Sequence, residues 1–183
     1  MKLQITLVAT LLSLNIIAKE FFGKASLGEF NVEVTLNDET NKAKIEITGP
    51  SSSWFGVGFG SKRMNNTYTI FANENTGGSV SERILIGNSY GNALNSSVTS
   101  SFENLGLTTK YIIERPLVAT NGGYSFTAQA GSIDIILAVG PNQTPGTYHG
   151  GTRAGTSINL IELNPTSTKD MAPKNFMKVY PNP

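Results

Sequence analysis

Alternating apolar and polar residues in the first part of the chain constrain its fold more than any other feature. The apolar members are Phe30, Val32, Val34 and Leu36 before a polar turn at 37–41, and Ala43, Ile45 and Ile47 after it. A period of two residues is typical of a β-strand with one buried face. This stretch therefore predicts a β-hairpin whose other face lies in water.

Seven further short segments have the composition of strands and are separated by clusters of Asn, Gly, Ser and Pro. They are Trp54–Gly60, Thr67–Ala72, Glu82–Ile86, Tyr111–Ala119, Gly123–Ala130, Ser132–Val139 and Thr156–Glu162. From residue 19 onward, no segment has a long apolar stripe at the helical period. The pattern predicts an all-β fold, an antiparallel β-sandwich of the immunoglobulin-like type.

Two segments differ from the rest of this predicted sandwich. Ser132–Val139 is almost continuously apolar, so we expect a central strand that is covered on both faces, with Asp134 as a hydrogen-bonded structural group. Gly87–Gly106 is rich in Asn and Ser, and its apolar residues are too sparse to define a strand or a helix. We expect it to form a long surface excursion between strands.

The amino-terminal segment predicts export. Residues 1–18 combine Lys2 with a mainly apolar run that ends at Ala18, as in a signal peptide cleaved near that residue. The run is short and contains too many polar residues for a span of the bilayer. Residues 19–163 then form the domain, and the polar segment 164–183 begins as a linker. We expect a secreted or cell-surface protein that meets a membrane only on the secretion route.

Composition excludes several classes of function. The chain has no cysteine and one histidine, which excludes disulfides, thiolate-bound metals and zinc sites with two or three histidines. It has 14 Lys and Arg against 13 Asp and Glu, without a basic block, which argues against a nucleic-acid partner. Its carboxylates are scattered, and it lacks the Gly-x-Ser-x-Gly motif of many hydrolases. We therefore expect a ligand-binding module rather than an enzyme.

Met64 and His149 are the residues best suited to cofactor chemistry, and each lies in a glycine-rich loop at a strand end. A thioether and an imidazole together make a six-coordinate haem iron, which favours electron transfer over oxygen binding. On the residues alone, Met64 as core filler and His149 as a surface or hydrogen-bonding residue stay open alternatives. Gly56, Gly58 and Gly60 are spaced to clear one face of a strand, so that a neighbouring sheet or a ligand can approach its backbone.

Three segments carry a resemblance to a known family. The first is Ser53–Gly60 followed by Met64, a strand of the form W-x-x-x-G-F that leads into a methionine loop. The second joins an R-x-L strand at 115–117 to an apolar strand that ends in A-x-G at 138–140. The third is the H-G loop within Tyr148–Gly155. In these features the domain resembles the DOMON family, and particularly its haem-binding branch, which includes the cytochrome domain of cellobiose dehydrogenase.

The resemblance implies a β-sandwich that holds one non-covalent haem b and exchanges single electrons with a redox partner protein or domain. It implies Met64 and His149 as the axial ligands. Six more residues are candidates for the haem pocket: Trp54, Phe59, Tyr68, Phe71, Tyr148 and Arg153. Core packing of the aromatic residues stays an open alternative, and Arg153 either meets a propionate or faces water. Some members of the family lack haem, so an extracellular carbohydrate-binding or interaction module is the alternative that stays open.

The segment Lys178–Pro183 resembles the V-Y-P-N-P opening of the carboxy-terminal sorting domain used in type IX secretion. That domain normally continues for many more residues, so we expect the chain to be truncated after Pro183. The resemblance implies that the protein is directed to the cell surface.

Overall fold

The computed structural model describes residues 18–73 and 77–163, and these form eleven β-strands. The strands are β1 (Glu20–Leu27), β2 (Phe30–Asn37), β3 (Lys42–Pro50), β4 (Phe55–Phe59), β5 (Tyr68–Ala72), β6 (Val80–Ile86), β7 (Ser89–Ala93), β8 (Thr99–Asn104), β9 (Thr108–Pro116), β10 (Gly131–Val139) and β11 (Arg153–Leu163). Within the described ranges, no helix has the length and apolar character needed to cross a bilayer. The predicted signal peptide, linker and sorting motif lie outside these ranges, apart from Ala18.

All neighbouring strands are antiparallel and form one curled sheet in the order β7-β6-β5-β4-β10-β11-β1-β2-β3-β9-β8. Strand β11 joins its two halves, because Arg153–Leu160 pairs with β10 whereas Ile161–Leu163 pairs with β1. The sheet therefore folds back on itself into two layers. This arrangement confirms the predicted all-β, antiparallel sandwich.

The core lies between the two layers and begins with the predicted hairpin. The inward residues of β2 and β3 are fully buried, and β2 ends at Asn37 before a turn that closes at Asn41 with a left-handed φ of 52°. Across the core, the Phe30 and Phe55 rings lie 5.2 Å apart between centroids. This packing explains the strict alternation, because every second residue removes apolar surface from water.

Three segments differ from the sequence-based expectations. Strand β1 was not predicted, and Gly87–Gly106 contains the whole of β7 and β8 instead of a strandless excursion. Strands β7 and β8 are the end strands of the sheet and their side chains are largely exposed, so backbone pairing holds them without an apolar pattern. The predicted strand Gly123–Ala130 is irregular, although the Phe126 amide still donates to the Leu117 carbonyl oxygen at 2.8 Å.

Strand β10 is central, as expected, between β4 and β11. Its odd-numbered side chains from Ile133 to Val139 are buried in the core, whereas Ile136 and Ala138 on the opposite face are only half-buried. The expectation that protein covers both faces was therefore wrong. The second apolar face of β10 borders a cavity instead. The continuous apolar run of this strand therefore does not mean that another layer of protein covers its outer face.

Candidate functional site

A cavity of about 600 Å³ opens on the outer face of the layer that contains β4, β5 and β10. Its walls come from three connections, the β4–β5 loop, the β6–β7 turn and the β10–β11 loop. This volume lies within the range of roughly 300–1,000 Å³ that is usual for small-molecule and cofactor sites. The cavity is therefore large enough for a substantial ligand.

Two glycines of β4 make room for neighbouring side chains at the floor of the cavity. This floor is a small adjoining pocket of about 30 Å³, lined by Gly56 and Gly58 together with Ile136 and Ala138 of β10. A Cβ at Gly58 would lie 2.7 Å from Ile136 Cγ2, and one at Gly56 would lie 2.9 Å from two ring carbons of Phe71. Larger residues at these positions would push neighbouring side chains into the cavity, as the alternate spacing of the glycines predicts.

Met64 lies in the β4–β5 loop and packs against the cluster of Trp54, Phe71 and Leu85. Backbone hydrogen bonds hold both ends of this loop, since the Gly60 amide donates to the Asp134 carbonyl oxygen at 2.8 Å and the Asn66 amide donates to the Leu85 carbonyl oxygen at 2.9 Å. The half-buried thioether therefore borders the cavity on a well-anchored connection.

His149 borders the same cavity from the β10–β11 loop. Its Nδ1 lies 3.0 Å from the carbonyl oxygen of Gly150. A carbonyl oxygen only accepts, so Nδ1 carries the proton in this hydrogen bond and the neutral imidazole keeps its lone pair on Nε2. This is the tautomer that a metal-ligating histidine needs, with the other ring nitrogen held by a backbone group.

Trp54 connects the start of β4 to the loop that carries His149. Its indole Nε1 donates to Thr147 Oγ1 at 2.8 Å, and its ring centroid lies 6.5 Å from that of His149 in an edge-on arrangement. The indole also lies flat against Gly140, where a Cβ would come within 2.0 Å of Nε1. The tryptophan of the first motif and the glycine of the second are thus parts of one packing contact.

The structure brings four of the six predicted pocket residues to the cavity and buries the other two elsewhere. Trp54, Phe71, Tyr148 and Arg153 border the cavity together with Met64 and His149. Phe59 and Tyr68 instead point into the core between the layers, where Phe59 packs against Phe126 at 5.1 Å between centroids. The prediction for these two was wrong because alternate residues of a strand face opposite sides of its sheet.

Several lining residues were missed by the sequence analysis. Tyr90 packs on Phe71 with ring centroids 4.7 Å apart, and the Arg83 guanidinium carbon lies 3.9 Å over the Tyr90 ring. Tyr90 belongs to the segment that was expected to be a surface excursion, where its aromatic ring was the only hint of a packed wall. The missed Ile136 had a clearer signal in the uninterrupted apolar run of β10.

The mouth of the cavity is positively charged. Lys62, Arg63 and Arg153 border it, and no carboxylate does so among the residues that the structure describes. The Lys62 ammonium pairs at 3.4 Å with Asp134, which also accepts from Ser157 Oγ at 2.8 Å. The hydrogen bond from Ser157, with that from Lys62, lowers the pKa of the Asp134 carboxyl. Asp134 is thus an exposed, hydrogen-bonded group, and the two arginines account for the remaining charge.

The sequence matches no model of a protein family and no curated protein. Among solved structures, the fold is similar to that of the cytochrome domain of Myriococcum thermophilum cellobiose dehydrogenase, with a TM-score of 0.56 and 17% sequence identity. The alignment covers 76% of this chain and 83% of that domain. The described strands therefore have the fold of a cytochrome domain.

Proposed function

We propose that this chain is a b-type cytochrome domain of the DOMON type, which binds one haem non-covalently and passes single electrons to a redox partner. The observation that carries the proposal is that Met64 and His149, from two distant loops, border one cavity, with the imidazole Nε2 of His149 left free by the hydrogen bond at Nδ1. A haem held between them would supply a one-electron iron couple.

The other residues of the cavity suit the same ligand. Gly56 and Gly58 let Phe71 and Ile136 pack close to the backbone of β4, and Trp54, Phe71 and Leu85 provide an apolar wall that would exclude water from the face of a flat ring. A dry environment strengthens the electrostatic influence of the ligands on the metal. In this proposal the residues bind and orient the cofactor, and the domain transforms no substrate itself.

Spectroscopy of the protein expressed with ample haem tests the proposal. We expect a Soret band and a low-spin spectrum in the wild type. His149→Ala should lose the haem or leave it high-spin, because the chain has no other histidine. Met64→His should keep a low-spin spectrum and lower the potential, since imidazole replaces the thioether. Asn88→Ala, which removes a side chain that borders the cavity without a ligand role, is the matched control.

A wild-type protein without a Soret band, or a low-spin spectrum that survives His149→Ala unchanged, would overturn the proposal.

The carbohydrate-binding alternative would then be tested first. One observation favours this alternative. Tyr148 is 74% exposed, and Asn88 and Ser89 border the same cavity. Trp54 is only 2% exposed and offers no open ring face, so Tyr148→Ala is the variant to compare in glycan binding.

We propose that the protein is exported and acts outside the cytoplasm. The support is the charge and apolar run of residues 1–18, together with the sorting-motif resemblance of residues 178–183. Both segments lie outside the described residues, so this proposal rests on the sequence pattern.

A further inference from the structure

Two guanidinium groups at the cavity mouth have no acidic partner in the described part of the chain. Arg63 immediately precedes Met64, and Arg153 begins β11. Neither takes part in any of the ion pairs found there, and the nearest polar contact of the Arg153 guanidinium is the Tyr148 hydroxyl at 3.5 Å. Lys62 differs from them because Asp134 already balances its charge.

Both arginines border the same cavity. Lys62 packs directly on β11, where a Cβ at Gly155 would lie 2.5 Å from the Lys62 carbonyl oxygen. Arg153 lies two residues before Gly155 and therefore on the same face of β11. It is also paired in register with Ala138, whose side chain lines the cavity floor. The β4–β5 loop that carries Arg63 thus packs against the strand that begins with Arg153, and both residues border the cavity.

We infer that Arg63 and Arg153 form a clamp for two carboxylate groups of the cavity ligand. Guanidinium groups bind carboxylates through paired hydrogen bonds, and two of them match a dicarboxylate in charge. The inference rests on the proposed function, in which the two carboxylates are the haem propionates and the clamp orients them toward solvent. Trp54 and Phe71, which border the same cavity, would then hold the apolar part of the ring.

The clamp is tested by comparing haem with haem dimethyl ester, which lacks both carboxylates. Trp54 is the sole tryptophan and borders the cavity, so quenching of its fluorescence reports binding of either compound to the apoprotein. We expect the wild type to bind haem more tightly than the diester. Arg63→Gln and Arg153→Gln should each weaken haem binding by about threefold to tenfold, as is usual for partly exposed charge-assisted pairs. Diester binding should not change.

Two controls separate the clamp from general charge effects. Lys42→Gln removes one positive charge from an exposed pair with Glu114 on the other layer of the sandwich and should leave the preference for haem intact. Lys62→Gln removes a cation from the same mouth, but one that already has a partner, and should have a smaller effect than either arginine change. Added salt should reduce the preference of the wild type and leave the double arginine variant unaffected.

The outcomes distinguish the clamp from the proposed function. A preference for haem that disappears in the double arginine variant supports the clamp. Equal binding of haem and diester by the wild type, or a preference that persists in the double variant, overturns the clamp and leaves haem binding in place. Failure of both compounds to bind overturns the proposed function and the clamp with it.

Discussion

Two charged side chains, Glu82 and Arg115, are buried beside the aromatic core at 3% and 2% exposure. The Glu82 carboxylate accepts from the Tyr68 hydroxyl at 2.6 Å, from Ser97 Oγ at 2.9 Å and from Asn121 Nδ2 at 3.2 Å. The Arg115 guanidinium carbon lies 4.9 Å over the Tyr68 ring. Tyr68 therefore lies between a buried anion and a buried cation. Its hydroxyl stabilises the Glu82 carboxylate, and its ring face offsets part of the cost of burying Arg115, whose guanidinium nitrogens have no hydrogen-bond partner in the described part of the chain.

The carboxylate of Glu82 links stability to pH. Burial raises its pKa, but hydrogen bonds from Ser97, Tyr68 and Asn121 outweigh burial and lower the pKa from 4.5. A lowered pKa in the folded state contributes stability above the unfolded value, and this contribution is lost as the pH falls through the folded value. We expect Glu82→Gln to reduce the free energy of unfolding at neutral pH by about 1–3 kcal/mol.

Urea unfolding near neutral pH and again in acid checks this expectation. The difference between the Glu82→Gln variant and the wild type should narrow as the pH falls below 4.5, because the wild-type carboxyl then becomes neutral as well. Glu39→Gln, in the exposed β2–β3 turn, is the control and should change stability little at either pH. An undiminished difference in acid would argue against a stabilising carboxylate.

At the scale of elements, β4, β5 and β10 each separate the core from the cavity. Successive residues of β10 show the division, since Ile135 is fully buried between the layers and Ile136 lies half-buried at the cavity. The two side chains are identical and adjacent, so their surroundings alone distinguish them. A strand of this kind contributes to folding with one face and to ligand binding with the other.

Alanine substitutions at these neighbours should therefore separate stability from binding. Ile135→Ala should lower the free energy of unfolding by about 2–5 kcal/mol, because it leaves a void in the core. Ile136→Ala should cost about 1 kcal/mol or less, since less apolar surface is lost, but it should weaken haem binding. Chemical unfolding and haem titration measure the two effects. Similar losses of stability in both variants would contradict the two-sided description of β10.

At the scale of the whole molecule, the bend in β11 turns one sheet into a two-layered sandwich. The pairing of β11 with β1 stops at Ile161, which lies opposite Phe22. The residue after Phe22 in β1 is Gly23, and its position faces the core. A Cβ at Gly23 would lie 2.5 Å from Ile158 Cγ2 and 2.6 Å from the Asn159 carbonyl oxygen. The crossing of the layers therefore requires a residue without a side chain at this point.

Substitution of this glycine should destabilise the sandwich as a whole. Gly23→Ala places a methyl group against the backbone of β11, and we expect a loss of about 1–3 kcal/mol in the free energy of unfolding. Gly151→Ala is the matched control. Open space surrounds that position, so this variant should have nearly the stability of the wild type. Urea unfolding compares the two variants. Equal stability of both would show that the β11 crossing accommodates a side chain.

Local patterns were sufficient to predict the fold class and the β2–β3 hairpin, and the resemblance of three short motifs directed attention to Met64 and His149. These predictions depend on residues close together in the chain, such as the alternation from Phe30 to Leu36, in which each buried side chain has the same physical reason. The ligand roles of Met64 and His149 stay predictions. The sequence also indicated a close approach to the backbone at Gly56 and Gly58, and the structure places the side chains of Phe71 and Ile136 against these positions.

Tertiary structure decided which face of each strand meets the cavity. It also decided where a strand forms although its sequence has no apolar pattern. Phe59 and Tyr68 were expected in the pocket and lie in the core, since one residue of register selects the opposite face of a sheet. Strand β7 supplies Tyr90 to the cavity wall, but its backbone pairing with β6 leaves no periodic pattern in the sequence. The shared cavity of Arg63 and Arg153 likewise depends on packing between segments far apart in the chain, which no local pattern records.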